Sequence, residues 1–184
     1  PLVYTDMLRD GYTNNETHRQ ETEATDIPTK SDGSAYNIDD LSEEQKLIVL
    51  LTVDTVVKFL TNDKDYMPLR GTITGMGGCG KSLVINTIIA IIRKLTDSNS
   101  TVQVAAPSGS AAYNVKGCTL HSLLGINVQT PFAKLLDANK EALIEKLKDL
   151  LVLMVDEVSM LSSQVAYGAE DHVRECVYNG HNNM

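Results

Sequence analysis

No run of 18 or more apolar residues occurs in the 184-residue sequence, so no membrane-spanning helix is expected. No secretory signal pattern is visible in its opening residues. Cysteine is scarce. Cys79, Cys118 and Cys176 are odd in number and widely spaced, which argues against a disulfide framework and for a reducing, intracellular compartment. Cys176 lies near His172 and His181, but the trio lacks zinc-site number and spacing, so these histidines read as incidental residues of a helix and a tail. Net positive charge is also missing: the formal charge is −8. The deficit is local. Residues 1–45 hold 11 acidic and 3 basic side chains, whereas residues 46–184 hold 13 of each. The body is neutral, which gives weak support for a DNA groove and does not exclude one.

What is present alternates. Residues 1–37 are polar and acidic and read as a disordered lead-in, with a domain expected over 38–184. Ser42 and Gln45 match a capping box ahead of a helix over Lys46–Leu60. "LRGTITG" (Leu69–Gly75), "TVQVAAP" (Thr101–Pro107) and "LLVLMVDE" (Leu150–Glu157) read as strands. "LVINTIIAIIRKL" (Leu83–Leu95) reads as a helix apolar on nearly all sides. Thr130-Pro131 reads as the start of another helix through Asp149, with a break near Asn139. Ser162 or Ser163 caps a last one. Uninterrupted apolar strands alternating with helices predict an α/β fold with a parallel sheet covered on both faces.

"GMGGCGKS" (Gly75–Ser82) fits G-x-x-x-x-G-K-[ST]. Its glycines, Gly75, Gly77, Gly78 and Gly80, let backbone N–H groups turn inward around Cys79 to cradle phosphate oxygens at a helix N-terminus. Lys81 would reach the β- and γ-phosphates, and the Ser82 hydroxyl would ligate Mg²⁺. Acids at the end of an apolar strand complete such a site: Asp156 would hold Mg²⁺, and Glu157 would accept a proton from the attacking water. A nucleoside triphosphate with Mg²⁺ is therefore expected, with Lys81, Asp156 and Glu157 as catalytic residues.

Three stretches then carry a resemblance: "LSEEQ" (Leu41–Gln45), "APSGSAAYNVKGCTLHSLLGI" (Ala106–Ile126) and "LVLMVDEVSML" (Leu151–Leu161). Together with the phosphate loop they resemble the Pif family of RecD-like superfamily 1 DNA helicases, over about Ile38–Ser163. The resemblance implies a P-loop NTPase of RecA-like fold and ATP-dependent 5′-to-3′ unwinding. Single-stranded and forked duplex DNA would be the partners, with no membrane. It implies work in DNA repair, recombination and telomere maintenance, in nucleus or mitochondrion. Residue by residue, Gln45 would read the adenine edge, in competition with its capping role. Pro107, Ser108 and Gly109 would touch the DNA backbone, with Ser108 where the family more often has Thr. Thr119 and His121 would face DNA, although His121 also reads as a helix-start histidine bonded to backbone. Cys79 stands where many relatives have Thr or Ser, which would make nucleotide binding sensitive to alkylation or oxidation.

The family's next motif, a strand ending in Gly-Asp…Gln, finds no match before Met184, nor does a second RecA-like domain. The chain is expected to be a piece of a longer protein, with weak stability alone because that strand would lie between the phosphate-loop and acid-pair strands. Two rival readings are a phosphotransferase using the same loop and a degenerate nucleotide-binding module without motor activity.

Overall fold

Residues 38–131, 133–135 and 137–178 are described in a computed structural model, as parts of two compact units, Pro1–Asp97 and Ser98–Met184. The acidic lead-in and His181 lie outside the described residues.

In the first unit, Ser42 caps helix α1 (Glu43–Leu60) with the reciprocal bonds of a capping box. The helix buries Val49, Val53, Val56 and Val57, a stripe at helical spacing, and exposes Leu47, Leu51 and Leu60. It packs against α2 (Lys81–Thr96), which buries Val84, Thr87, Ile88, Ile91 and Ile92 at the same spacing. Helix α2 is therefore one-sided rather than apolar all round, with Ser82, Asn86 and Lys94 exposed. The expected strand at Leu69–Gly75 is not formed. Residues 67–76 have no regular structure, and Leu69 and Ile73 are exposed. A strand exists only with a ladder partner, and none is paired with this segment among the described residues.

The second unit is built on three parallel strands in the order β2-β1-β3. These are β1 (Val102–Ala106), β2 (Cys118–Thr119) and β3 (Val152–Val155). Ala105 pairs with Cys118 on one side and Val155 on the other, and Ala106 pairs with Thr119. Successive residues of a strand point to opposite faces. Accordingly Ala105 joins the larger core, with Leu120, Leu123, Leu124, Leu143, Leu147 and Val165, while Ala106 packs with Ala111 and Ala112. The helices that cover these faces are α3 (Gly109–Asn114), α4 (Leu120–Leu124), α5 (Asp137–Leu147) and α6 (Ser163–Val173). The fold is α/β with a parallel sheet flanked by helices. Strand β3 departs from the expected full burial: all four residues are half-buried, because among the described residues it is paired on one side only.

Thr130-Pro131 does not open a helix. Asn127 Oδ1 accepts from the Gln129 and Thr130 N–H groups, and the Ala133 N–H closes a single turn onto Thr130 O. The following backbone is drawn along α6. The Pro131 carbonyl sits where any side chain at Gly168 would be, and the Ala133 carbonyl lies 3.4 Å from His172 Nε2. Helix α5 begins at Asp137 and runs through Asn139 without a break. Ser162 is the cap of α6, its Oγ accepting from the Val165 N–H. His172 is not incidental. It is 2 % exposed, with Nδ1 2.8 Å from the Leu124 carbonyl.

Candidate functional site

The phosphate loop lies wholly within the first unit. Gly78 and Gly80 have φ of 78° and 86°, left-handed values that side chains rarely tolerate. Helices α1, α3, α4 and α6 each begin on a Ser or Thr side-chain cap, whereas α2 begins on Gly80 with none. Its first-turn N–H groups are thus left for an anion. The Lys81 ammonium spans the loop, donating to Gly75 O at 2.8 Å and Met76 O at 2.9 Å, with Cys79 Sγ at 3.7 Å. Ser82 is exposed in the first turn of α2. A bent backbone, an uncapped helix start and an adjacent ammonium are what a nucleotide's phosphates require, so these residues fit that group.

Gln45 joins this loop from α1. Its Oε1 accepts from the Ser42 N–H at 2.9 Å, and its Nε2 donates to Cys79 O at 3.0 Å. The competition between capping and site duty resolves by division: the oxygen caps and the nitrogen reaches the loop. Gly80 makes room for it, since a Cβ there would collide with Gln45 Nε2.

In the second unit the remaining candidates gather at one edge of the sheet. Pro107, Ser108 and Gly109 follow β1, Thr119 ends β2, and Asp156 and Glu157 follow β3. The parallel register brings these carboxyl ends level, and the Asp156 N–H donates to Ala105 O at 2.9 Å. Ligands of open α/β sheets bind at such an edge. Ser108 and Thr119 also cap α3 and α4, their oxygens accepting from Ala111 and Ser122 N–H groups. A hydroxyl acting as cap acceptor keeps its own proton to donate. His121 sits in the first turn of α4, half-buried. Asp156 Oδ1 accepts from the Glu157 N–H at 2.8 Å, and Glu157 is exposed at φ 53°. One supporting residue carried no sequence signal. Lys146 of α5 donates to Ser122 O and Leu123 O, closing the last turn of the helix that carries His121.

The PIF1-like helicase family matches residues 40–183. The chain belongs to that family. It is 35 % identical over 112 residues to the ATP-dependent DNA helicase PIF1 of Emericella nidulans, covering 58 % of this chain and 15 % of that protein. The ATP-dependent DNA helicase PIF1 of Candida albicans is 32 % identical over 116 residues, covering 58 % and 12 %. The ATP-dependent DNA helicase PIF4 of Trypanosoma brucei brucei is 30 % identical over 149 residues, covering 77 % and 16 %. The chain thus spans less than a fifth of the length of these relatives. No solved structure matches it. The PIF1-like match covers both the phosphate loop and the acid pair, so the two halves described above belong to one family pattern. Among the described residues, no helix is long and apolar enough to cross a membrane.

Proposed function

We propose that this PIF1-like segment is the nucleotide-binding part of an ATP-dependent DNA helicase moving 5′ to 3′ on single-stranded DNA. The observation that carries the reading is the common carboxyl edge, where the DNA-matching residues and the acid pair leave neighbouring strands of one sheet. A change at Asp156 and Glu157 is then one strand away from the residues that grip DNA.

The amides of Gly75, Gly77, Gly78, Cys79 and Gly80 would hold the phosphates, and Lys81 would turn its ammonium from the loop carbonyls toward them. Gln45 would add recognition of the base. Ser82 would be one Mg²⁺ ligand and Asp156 another. Bound MgATP supplies the phosphoanhydride bond and the charge neutralisation for its cleavage. Glu157 would take the proton of the attacking water on its carboxylate. Pro107, Ser108, Gly109, Thr119 and His121 would contact the DNA backbone, and forked duplex DNA would be the unwound substrate. The setting would be DNA repair, recombination and telomere maintenance, in nucleus or mitochondrion.

The test is ATP hydrolysis with and without single-stranded DNA, on the full-length protein and on these 184 residues. Full-length protein should show DNA-stimulated turnover and unwinding. The segment alone should bind nucleotide and not unwind. Full-length protein that binds ATP but neither turns it over nor opens a fork would instead be a nucleotide-binding module.

A further inference from the structure

Helix α3 ends in a way that spends conformational energy on a lysine. The Gly117 N–H donates to Ala112 O at 2.9 Å and the Lys116 N–H to Tyr113 O at 3.1 Å, the paired bonds of a Schellman ending. The left-handed position of that motif favours glycine, yet Lys116 occupies it at φ 50°. The neighbouring glycine cannot substitute by a shift of register. Gly117 is committed to a close approach on β1, because a Cβ there would run into the Val104 carbonyl oxygen. The chain therefore holds a lysine in a conformation that disfavours it, and such outliers point to function.

Beside it stands Tyr113, 83 % exposed. Tyr113, Asn114, Lys116 and Gly117 line a shallow, open depression on the surface. The flanking sequence carries no negative side chain. In a chain with 24 acidic residues, Ser98 to Leu136 contains no Asp or Glu, while it contains Lys116, His121 and Lys134. Helix α3 packs on both β1 and β2, the strands whose ends carry Ser108 and Thr119.

We propose that Tyr113 and Lys116 form a single-stranded nucleic-acid contact of their own, with a base stacked on the Tyr113 ring and a backbone phosphate on the Lys116 ammonium. The proposal rests on the helicase reading and extends its DNA path along α3 to the far end of that helix. Stacking on an exposed ring is indifferent to base identity, as a motor that reads no sequence requires.

The test is binding of fluorescein-labelled oligothymidylate by the full-length protein across a range of salt concentrations, with thermal melting as the control for folding. Tyr113→Ala should weaken binding about 5- to 150-fold, and Tyr113→Phe should restore it to within about twofold. Lys116→Gly should weaken binding and flatten the log–log salt slope by about 0.7, while its melting temperature stays level or rises. Glycine suits the left-handed position, so loss of fold does not confound that variant. If both variants bind and respond to salt like the parent while His121→Ala binds weakly, this contact does not exist and the helicase reading stands. If the parent itself fails to bind oligothymidylate at low salt, the helicase reading falls and the contact falls with it.

Discussion

Gln45 and Cys79, 34 residues apart in sequence, are joined by a 3.0 Å hydrogen bond from the Gln45 side-chain nitrogen to the Cys79 carbonyl. The same side chain accepts the Ser42 N–H. One residue thus ties the start of α1 to the phosphate loop, and its two duties use different atoms.

That division can be separated by substitution. Gln45→Glu keeps an oxygen for the capping box but has no donor for the Cys79 carbonyl. Gln45→Ala loses both. Loss of the cap costs about 1 kcal/mol, or about 2–4 °C in Tm for a chain of this size. The alanine variant should therefore melt earlier, while the glutamate variant melts within about 1 °C of the parent. Both should bind a fluorescent ATP analogue about tenfold more weakly, since a misplaced loop carbonyl costs on the order of 1.4 kcal/mol. Unchanged nucleotide affinity in Gln45→Glu would remove the loop tether from the site.

Cys79 and Cys176 should differ sharply in reactivity. Cys79 is exposed in the loop, beside Lys81, whereas Cys176 is buried. Burial pushes the Cys176 thiol up, and the neighbouring Glu175 carboxylate pushes the same way, with Lys140 opposing them. A raised thiol stays protonated to higher pH, so Cys176 should resist iodoacetamide at neutral pH and react only under alkaline or unfolding conditions. Peptide mass mapping should find Cys79 labelled first, with MgATP slowing that labelling and the labelled protein losing nucleotide affinity. Equal labelling of Cys79 with and without MgATP would separate this thiol from the nucleotide.

What the sequence made legible was local. Ser42 with Gln45, and Ser162 ahead of α6, were readable because a cap and its partner lie three residues apart. What it hid was set by distant partners. Leu69–Gly75 has strand composition but no ladder, and composition cannot reveal whether a partner exists. Thr130-Pro131 has a helix-start signature, yet that backbone closes a single turn and lies against Gly168 and His172 of α6. Strand β2 is two residues long and defined only by pairing with Ala105 and Ala106. The acid pair and the DNA-matching loops were each readable as motifs. Their shared edge emerged only from the register of β1 with β2 and β3.

His172 is a structural histidine of the second unit. Both ring nitrogens face backbone carbonyls, Leu124 at 2.8 Å and Ala133 at 3.4 Å, inside the second unit. Its removal leaves a cavity and takes the ring N–H from a backbone carbonyl, each a cost of order 1–3 kcal/mol. His172→Ala should lower Tm by about 6–12 °C, for a combined loss of about 3 kcal/mol. At low temperature its affinity for a fluorescent ATP analogue should match the parent, because the phosphate loop lies in the other unit. A variant that melts like the parent would show that those carbonyls do not need the ring.

Glu157 stores strain where the chemistry is proposed. It adopts φ 53° and ψ 40°, a left-handed conformation that costs a residue with a side chain about 1 kcal/mol or more. Its amide is pinned in place by Asp156 Oδ1, so the exposed carboxylate is presented from a fixed backbone. Glycine at this position would relieve the cost and remove the base. Glu157→Gly should therefore raise Tm by about 2–4 °C while lowering ATP turnover about 10²- to 10⁴-fold. Glu157→Gln retains the backbone cost, so it should lose turnover without gaining stability. Both should keep nucleotide affinity within a few-fold, because the carboxylate acts on water rather than on the phosphates. Thermal melts and single-turnover hydrolysis on the three proteins would decide the matter. Turnover surviving in both variants would take Glu157 out of the reaction, and a glycine variant no more stable than the parent would remove the strain.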